Sequence, residues 1–263
     1  MPSSTPERFP WRLFWFLLVI TILAALSVLP LAKDIAGAAI SKLEVPDISL
    51  PLLIIAGVIQ NLGLLALIIG LGLKLSRALG LRTPVFESWL MGAPRPDLKR
   101  RLVAGLVAGA AVGIILVFCL VALVPRFPNL PFVIAARVPV WKRFLMCFYG
   151  GIYEEVLTRL FLLSLIAWIA NRSWRKPADP LPSGVFWFAN IFAAVLFGLG
   201  HLPSTSLFMP ITPLVVVAAL LLNGIAGIVF GYLYRWLGLE AAMIAHFTAD
   251  FVIYVAGASL LLQ

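Results

Sequence analysis

Seven long apolar segments constrain this chain more than any other feature. They span roughly 11–32, 50–73, 102–124, 141–170, 184–201, 213–234 and 239–262. Each segment approaches or exceeds the ~20 residues that a helix needs to cross the hydrocarbon core of a bilayer. Continuous apolar runs of this length are typical of membrane helices rather than strands. The sequence therefore predicts an all-α, polytopic transmembrane bundle of about seven helices.

Composition supports lipid as the solvent. The chain has 263 residues, of which 62% are hydrophobic and 12% charged, whereas a soluble domain carries about 25% charged residues. The net charge of +9 would fit a nucleic-acid-binding protein, but the basic residues cluster in short loops between the apolar segments. Loop charges of this kind orient helices and contact anionic lipid headgroups, so we expect the bilayer as a partner and no nucleic acid.

The distribution of Lys and Arg predicts the orientation. When Arg159 is left out because it lies inside a helix, one side of the bundle carries 13 basic residues and the other 6. The richer side holds the N-terminal arm and a basic connector, residues 74–101. Since basic loops stay in the cytoplasm, we predict a multi-pass integral membrane protein (in the cell membrane if prokaryotic) with a cytoplasmic N-terminus and an outside C-terminus. The first segment exceeds the 7–15 apolar residues of a signal peptide, so we interpret it as a retained anchor.

The chain is predicted to have two parts. Residues 1–135 contain the first three helices and the basic connector, and residues 136–263 contain the last four helices. In the third helix Gly105, Gly109 and Gly113 recur every four residues and form a stripe that permits close helix packing. Packing within the bundle explains this stripe, and dimerisation is the alternative.

Two adjacent carboxylates, Glu154 and Glu155, lie in the fourth apolar segment, with Arg159 one turn later. Residues four apart share a helix face, so Glu155 and Arg159 are predicted to form an ion pair inside the bundle. Glu154 is then left unpaired at a depth where charge is costly, which indicates a functional group. A general base is the role that we favour, and a structural ion pair with a spare carboxylate is the alternative.

The two histidines of the chain, His201 and His246, also lie in membrane-like segments. Phe197 precedes His201 by one turn and can pack against its ring. His246 and Asp250 share one face of the last helix, where a carboxylate can fix the tautomer of an imidazole. Each motif alone has a structural explanation, but the three together predict one functional site.

Three motifs in this order on late transmembrane helices, Glu-Glu-x-x-x-Arg, Phe-x-x-x-His and His-x-x-x-Asp, resemble those of the CAAX-protease and bacteriocin-processing family. This family includes the type II CAAX prenyl endopeptidase. The resemblance covers about 140–260, and the stretch 231–239 is also similar to the family's approach to its last motif. Well-studied members have Asn where this chain has Asp250, and the family pattern admits both.

The resemblance implies an endopeptidase that hydrolyses a peptide bond within the bilayer and has its protease core in the last four helices. In that mechanism Glu154 activates a water with the assistance of His201, and His246 and Asp250 hold the developing oxyanion. The implied supporting residues are Glu155, Arg159 and Phe197. The substrate would be a membrane-embedded or lipidated protein or peptide, and the sequence does not decide whether it is prenylated.

The cofactor is left open between zinc and no metal. His201 and His246, with Glu154 or Asp250, match the donor types of a catalytic zinc site. The HExxH spacing of common zinc peptidases is absent, and a metal-free mechanism driven by the glutamate is equally compatible. Two other functions are retained as alternatives. One is a transporter that relays protons, although no internal repeat is visible, and the other is a catalytically silent membrane scaffold.

Depth is a further constraint on this site. At a rise of ~1.5 Å per residue, Glu154 and His246 are predicted roughly 10 Å from the cytoplasmic face, and His201 at the far end of its helix. The three can meet only if the fifth helix is shifted or tilted, or if residues 202–212 fold back into the bundle. That segment carries no charge, which permits a re-entrant loop buried in protein.

Overall fold

The computed structural model of the chain describes residues 8–31, 50–174 and 181–260, and within these ranges it contains helices and no strand. The α-helices are α1 (Trp11–Ser27), α2 (Leu50–Ala78), α3 (Pro84–Met91), α4 (Leu98–Leu123), α5 (Pro131–Ala136), α6 (Val140–Phe148), α7 (Ser164–Trp174), α8 (Ser183–Gly200), α9 (Leu202–Ser206), α10 (Pro213–Leu237), α11 (Leu239–Asp250) and α12 (Ala258–Leu260). Three π-helical segments are π1 (Tyr149–Glu154), π2 (Val156–Leu163) and π3 (Phe251–Gly257).

Six helices in the described ranges are long and apolar enough to cross a membrane. They are Trp11–Leu31, Gln60–Ala78, Leu98–Leu123, Ser183–Ser206, Pro213–Leu237 and Leu239–Gly257. The predicted polytopic helical bundle is confirmed, and the chain is a multi-pass integral membrane protein. The fourth predicted segment, 141–170, lies in an unbroken helical run from 140 to 174 that is more polar than the six because it carries both glutamates and Arg159.

The outer surface of the bundle is apolar, as lipid contact requires. Large side chains such as Val107, Phe118 and Leu221 are more than half exposed along the middle of the spanning helices. Tryptophans mark the end of the bundle that carries the basic connector. Trp89 of α3 is 70% exposed and Trp236, at the end of α10, is 57% exposed. Amphipathic rings concentrate at the membrane–water interface, so this end is expected at the level of the headgroups.

The short helix α3 covers the turn between α10 and α11. Gly238 forms this turn with a φ of 94°, and a Cβ at that position would overlap the ring of Pro84 at the start of α3. The next two residues fasten the connector. The backbone N–H of Leu239 donates to the Arg82 carbonyl at 3.2 Å, and Glu240 Oε1 accepts the Phe86 N–H at 2.9 Å. Helix α11 therefore begins beneath the connector, inside the bundle.

The glycine stripe of α4 packs directly on α11. A Cβ at Gly109 would overlap the Ala245 carbonyl oxygen and lie 2.7 Å from Thr248 Cβ, and Gly105 and Gly113 are similarly crowded by α11 and π3. The predicted packing role of the stripe is confirmed. The absence of side chains on α4 allows the two backbones to approach closely, which fixes the helix that carries His246 and Asp250.

Candidate active site

The two glutamates lie where the helical run from 140 to 174 departs from α-helical geometry. Glu154 ends π1, Glu155 separates the two π segments, and Arg159 lies in π2. Asp250 immediately precedes π3. The i→i+5 turn of a π-helix widens the helix, and such turns occur mostly as local insertions at functional sites. The sequence gave no signal for these turns because their residue composition is that of an ordinary apolar helix.

A buried chain of three charged or polar groups joins two helices. Arg159 Nη1 lies 3.0 Å from Glu155 Oε1, so the ion pair predicted from the spacing is present. The same oxygen accepts a hydrogen bond from His246 Nδ1 at 2.7 Å. Glu155 has no exposed side-chain surface, and the other two side chains are also buried. One carboxylate thus binds a guanidinium on its own helix and an imidazole on α11.

The Arg159 guanidinium is held on every side. It donates to the Gly227 carbonyl from Nη2 at 3.1 Å and to the Thr158 hydroxyl from Nη1. Its carbon lies 5.1 Å from the ring centroid of Phe197 and 5.6 Å from that of Phe230. Aromatic faces attract cations, so these rings and the carbonyl partly replace the water that the buried charge has lost.

The remaining nitrogen of His246, Nε2, faces two carboxylates. Glu154 Oε2 lies 3.6 Å away and Asp250 Oδ2 lies 3.8 Å away. Both distances exceed those of a direct hydrogen bond, and contacts of this length are commonly bridged by water. Asp250 was predicted to fix the tautomer of His246, and this detail is wrong. Glu155 reaches Nδ1 from the neighbouring helix, while Asp250, one turn along α11, lies on the Nε2 side.

His201 is oriented by its own helix. Its Nδ1 lies 2.8 Å from the Phe197 carbonyl, which can only accept, so Nδ1 carries the proton and a neutral ring keeps its lone pair on Nε2. The Phe197 ring contacts both histidines, with centroids 4.6 Å from His201 and 5.9 Å from His246. Phe230, which is fully buried, stacks on His246 at 4.9 Å.

All four predicted catalytic side chains line a cavity of about 990 Å³. They are Glu154, His201, His246 and Asp250. The predicted difficulty over depth is resolved by two features. Helix α11 begins beneath the connector, and the chain after His201 turns through α9 so that Ser204, Thr205 and 207–209 line the same cavity. The folded-back arrangement of 202–212 is therefore the one observed.

Two residues at the site were not predicted from the sequence. Phe230 resembles any buried aromatic residue in a spanning helix, so its stacking on His246 could not be foreseen. Gly150 lies one turn before Glu154, and a Cβ there would overlap Asp250 Oδ2 and lie 3.1 Å from His246 Nε2. The nearby Gly-Gly pair was the available signal, because glycine permits close approach of another chain.

Gly150→Ala is expected to lower turnover by about 10²-fold, because the added methyl group displaces the carboxylate of Asp250 and small misplacements of catalytic groups have effects of this size. The displaced atom ends a side chain, so the thermal melting temperature should change little. The control is Gly63→Ala, whose added methyl group meets nothing within 4 Å. Wild-type turnover of the Gly150→Ala protein would show that this spacing is not critical.

The donor types fit a metal better than their arrangement does. In the part of the chain that the structure describes, no group of three or more His, Cys, Asp or Glu side chains is arranged to hold a metal ion. His246 Nδ1 is also engaged by Glu155, which leaves one imidazole nitrogen for other partners. The chemistry derived below uses the side chains alone.

Comparison with known proteins identifies a family for the second half of the chain. Residues 136–252 match the family model described as type II CAAX prenyl endopeptidase Rce1-like. The match includes every predicted site residue, and it confirms the resemblance found in the three motifs. No curated protein and no solved structure matches the chain. The family implies a peptidase and suggests an intramembrane protease of the CAAX type.

Proposed function

We propose that this chain, whose residues 136–252 match the Rce1-like family, is an intramembrane endopeptidase that uses Glu154 as the general base. The observation that carries this proposal is the position of Glu154 Oε2, 3.6 Å from His246 Nε2, at the wall of a large cavity. Glu154 has no arginine partner of its own among the printed ion pairs of the described residues, whereas Glu155 is neutralised by Arg159. A carboxylate so placed is available to take a proton.

The proposed reaction is the hydrolysis of a peptide bond. Glu154 removes a proton from a water molecule as the water oxygen bonds to the scissile carbonyl carbon. The negative charge that develops on the carbonyl oxygen is stabilised by His246 Nε2–H and by Asp250. The carbon–nitrogen bond then breaks, and the proton held by Glu154 passes to the leaving amine. His201, through the lone pair of Nε2, orients the attacking water.

The surrounding residues serve to position these groups. Glu155 holds Nδ1 of His246, so Nε2 is the nitrogen available to the substrate. Arg159 balances the charge of Glu155, and Phe197 and Phe230 fix both rings and the guanidinium by contact. Catalysis benefits because preorganised groups need no rearrangement as charge develops.

The experiment is cleavage of membrane-associated peptides by purified protein in liposomes. We expect cleavage of an apolar peptide at a defined bond, detected by mass spectrometry, and none by the Glu154→Gln protein. A library of prenylated and unprenylated peptides would identify the substrate class. Proton-coupled uptake without any cleavage would favour the transporter, and neither activity would favour a silent scaffold.

The same assay tests the role of a metal. If His201, His246 and a carboxylate hold zinc, a chelator should abolish cleavage, zinc should restore it, and elemental analysis should find about one metal per chain. Undiminished cleavage by metal-free protein would establish the glutamate-driven reaction. In either case the side chains named above are the ones in contact with the reacting groups.

Asp250 provides a graded test. Asp250→Asn is expected to keep substantial activity, because an amide can still donate to the oxyanion from the same position. Asp250→Leu should lose most of the activity, since the isosteric apolar group cannot form a hydrogen bond. Turnover of both proteins is the measurement. If Asn is as inactive as Leu, the negative charge itself is required, which would favour proton transfer or metal binding by this residue.

A further inference from the structure

The cavity opens at one end of the bundle. Four of its lining residues are also exposed at the surface of the molecule: Arg137, Pro139, Ser204 and Leu207. They lie in the segment between α5 and α6 and in the segment around α9. The cavity therefore leads from Glu154, in the middle of the helical run 140–174, to the surface formed by these two connections.

This opening lies opposite the basic connector. The cavity is lined by the C-terminal ends of α1, α4 and α8, by the first half of α10 and by the second half of the last span. The connector follows the C-terminal end of α2 and packs on the turn between α10 and α11, at the other end of the same helices. A spanning helix has its two ends on opposite sides of the membrane, so the opening and the connector face different compartments.

The charges assign these compartments. At the connector end the described residues carry eleven Lys or Arg: Arg8, Arg12, Lys74, Arg77, Arg82, Arg95, Lys99, Arg100, Arg101, Arg172 and Arg235. At the cavity end they carry four, namely Arg126, Arg137, Lys142 and Arg143. Arg143 is a poor topological signal because it is 2% exposed and donates to the Tyr254 carbonyl and the Ser259 hydroxyl. The positive-inside rule places the connector in the cytoplasm.

We propose that the active-site cavity is reached from the non-cytoplasmic side of the membrane, and that the substrate is an apolar segment of an exported or membrane-anchored polypeptide. This inference rests on the proposed peptidase function. It sets aside the C-termini of cytoplasmic proteins as substrates, because their scissile bonds would have to cross the membrane to reach Glu154.

The walls of the cavity fit such a segment. Between the opening and the catalytic groups they are formed by side chains such as Leu120, Phe127, Leu130 and Phe208. An extended polypeptide that carries apolar side chains buries them here and leaves its backbone to the few polar groups of the lining. A charged segment would lose its hydration without gaining partners, so it is expected to be excluded.

The test uses introduced thiols in a background in which Cys119 and Cys147 are replaced by Ala. Leu207→Cys places a thiol at the opening, and Arg95→Cys places one on the connector, where it serves as the control. A bulky, membrane-impermeant maleimide is applied to sealed vesicles of known orientation, and labelling and cleavage are both measured. Ser204→Cys replaces Leu207→Cys if that protein does not fold.

We expect the opening thiol to react only from the non-cytoplasmic side, with at least a tenfold loss of cleavage, and the connector thiol to react only from the cytoplasmic side. Reaction of both thiols from one side, or of the opening thiol from the cytoplasm, would overturn the proposal while leaving the peptidase intact. Labelling that does not reduce cleavage would also overturn it. The expected labelling in a protein that cleaves no peptide would instead refute the proposed function.

Discussion

Replacement of Glu154 by Gln is expected to lower turnover by about 10²–10⁴-fold, the usual effect of losing a general base. Gln occupies nearly the same volume but cannot take a proton from water. The side chain lies at the cavity wall, and no described ion pair with a basic side chain other than His246 is lost, so the protein should fold normally. The measurements are turnover in liposomes and the thermal melting temperature in detergent.

The outcome has a clear opposite. Full activity with an unchanged melting temperature would show that Glu154 is not the base, and most of the mechanism would fall with it. A large loss of stability together with activity would assign Glu154 a structural role. Glu154→Asp is an informative companion, because it keeps the proton acceptor but withdraws it by one methylene group. Partial activity in that protein would support proton transfer at this position.

Replacement of Glu155 by Gln is expected to damage both stability and activity. Breaking a buried ion pair by removing one partner costs roughly 3–5 kcal/mol, because Arg159 remains buried without its counter-ion. From the four-residue spacing alone, lower stability with partial activity would be the prediction. The structure adds the hydrogen bond of 2.7 Å from His246 Nδ1, so we now expect turnover per folded molecule to fall as well, by about 10-fold or more.

A second ion pair in the bundle provides the matched control. Glu87 Oε1 lies 3.5 Å from Arg77 Nη1 at the connector end, and both side chains are mostly buried. Glu87→Gln should lower the melting temperature but leave turnover per folded molecule unchanged, because this pair does not touch a histidine. If the Glu155→Gln protein behaves in the same way, Glu155 only braces the fold and does not orient His246.

The distinction between the two glutamates depends on which helix each one faces. Glu155 is turned into the interface with α11, where it accepts from His246 and Arg159 at once. Glu154 faces the cavity, one residue earlier on the same helical run. Adjacent residues on a helix point about 100° apart, so identical side chains can be committed to different surroundings.

The sequence by itself determined the solvent of the protein, its helical class and the residues of the candidate site. Apolar runs of about 20 residues leave no other regular structure that satisfies the backbone in lipid. Ionisable groups are so costly there that Glu154, Glu155, Arg159, His201 and His246 stand out against the apolar background. The pairing of Glu155 with Arg159 also followed from the sequence, because it depends only on spacing within one helix.

Only the tertiary structure decided how the helices bring these groups together. The contact between Glu155 and His246 joins positions 91 residues apart, and no periodicity within either helix encodes it. The stacking of Phe230 on His246, the close approach that Gly150 allows and the start of α11 beneath the connector are likewise products of helix packing. A pattern along one helix fixes which face a residue occupies, whereas the neighbour on that face is set by the crossing of two helices, which depends on side chains throughout the bundle.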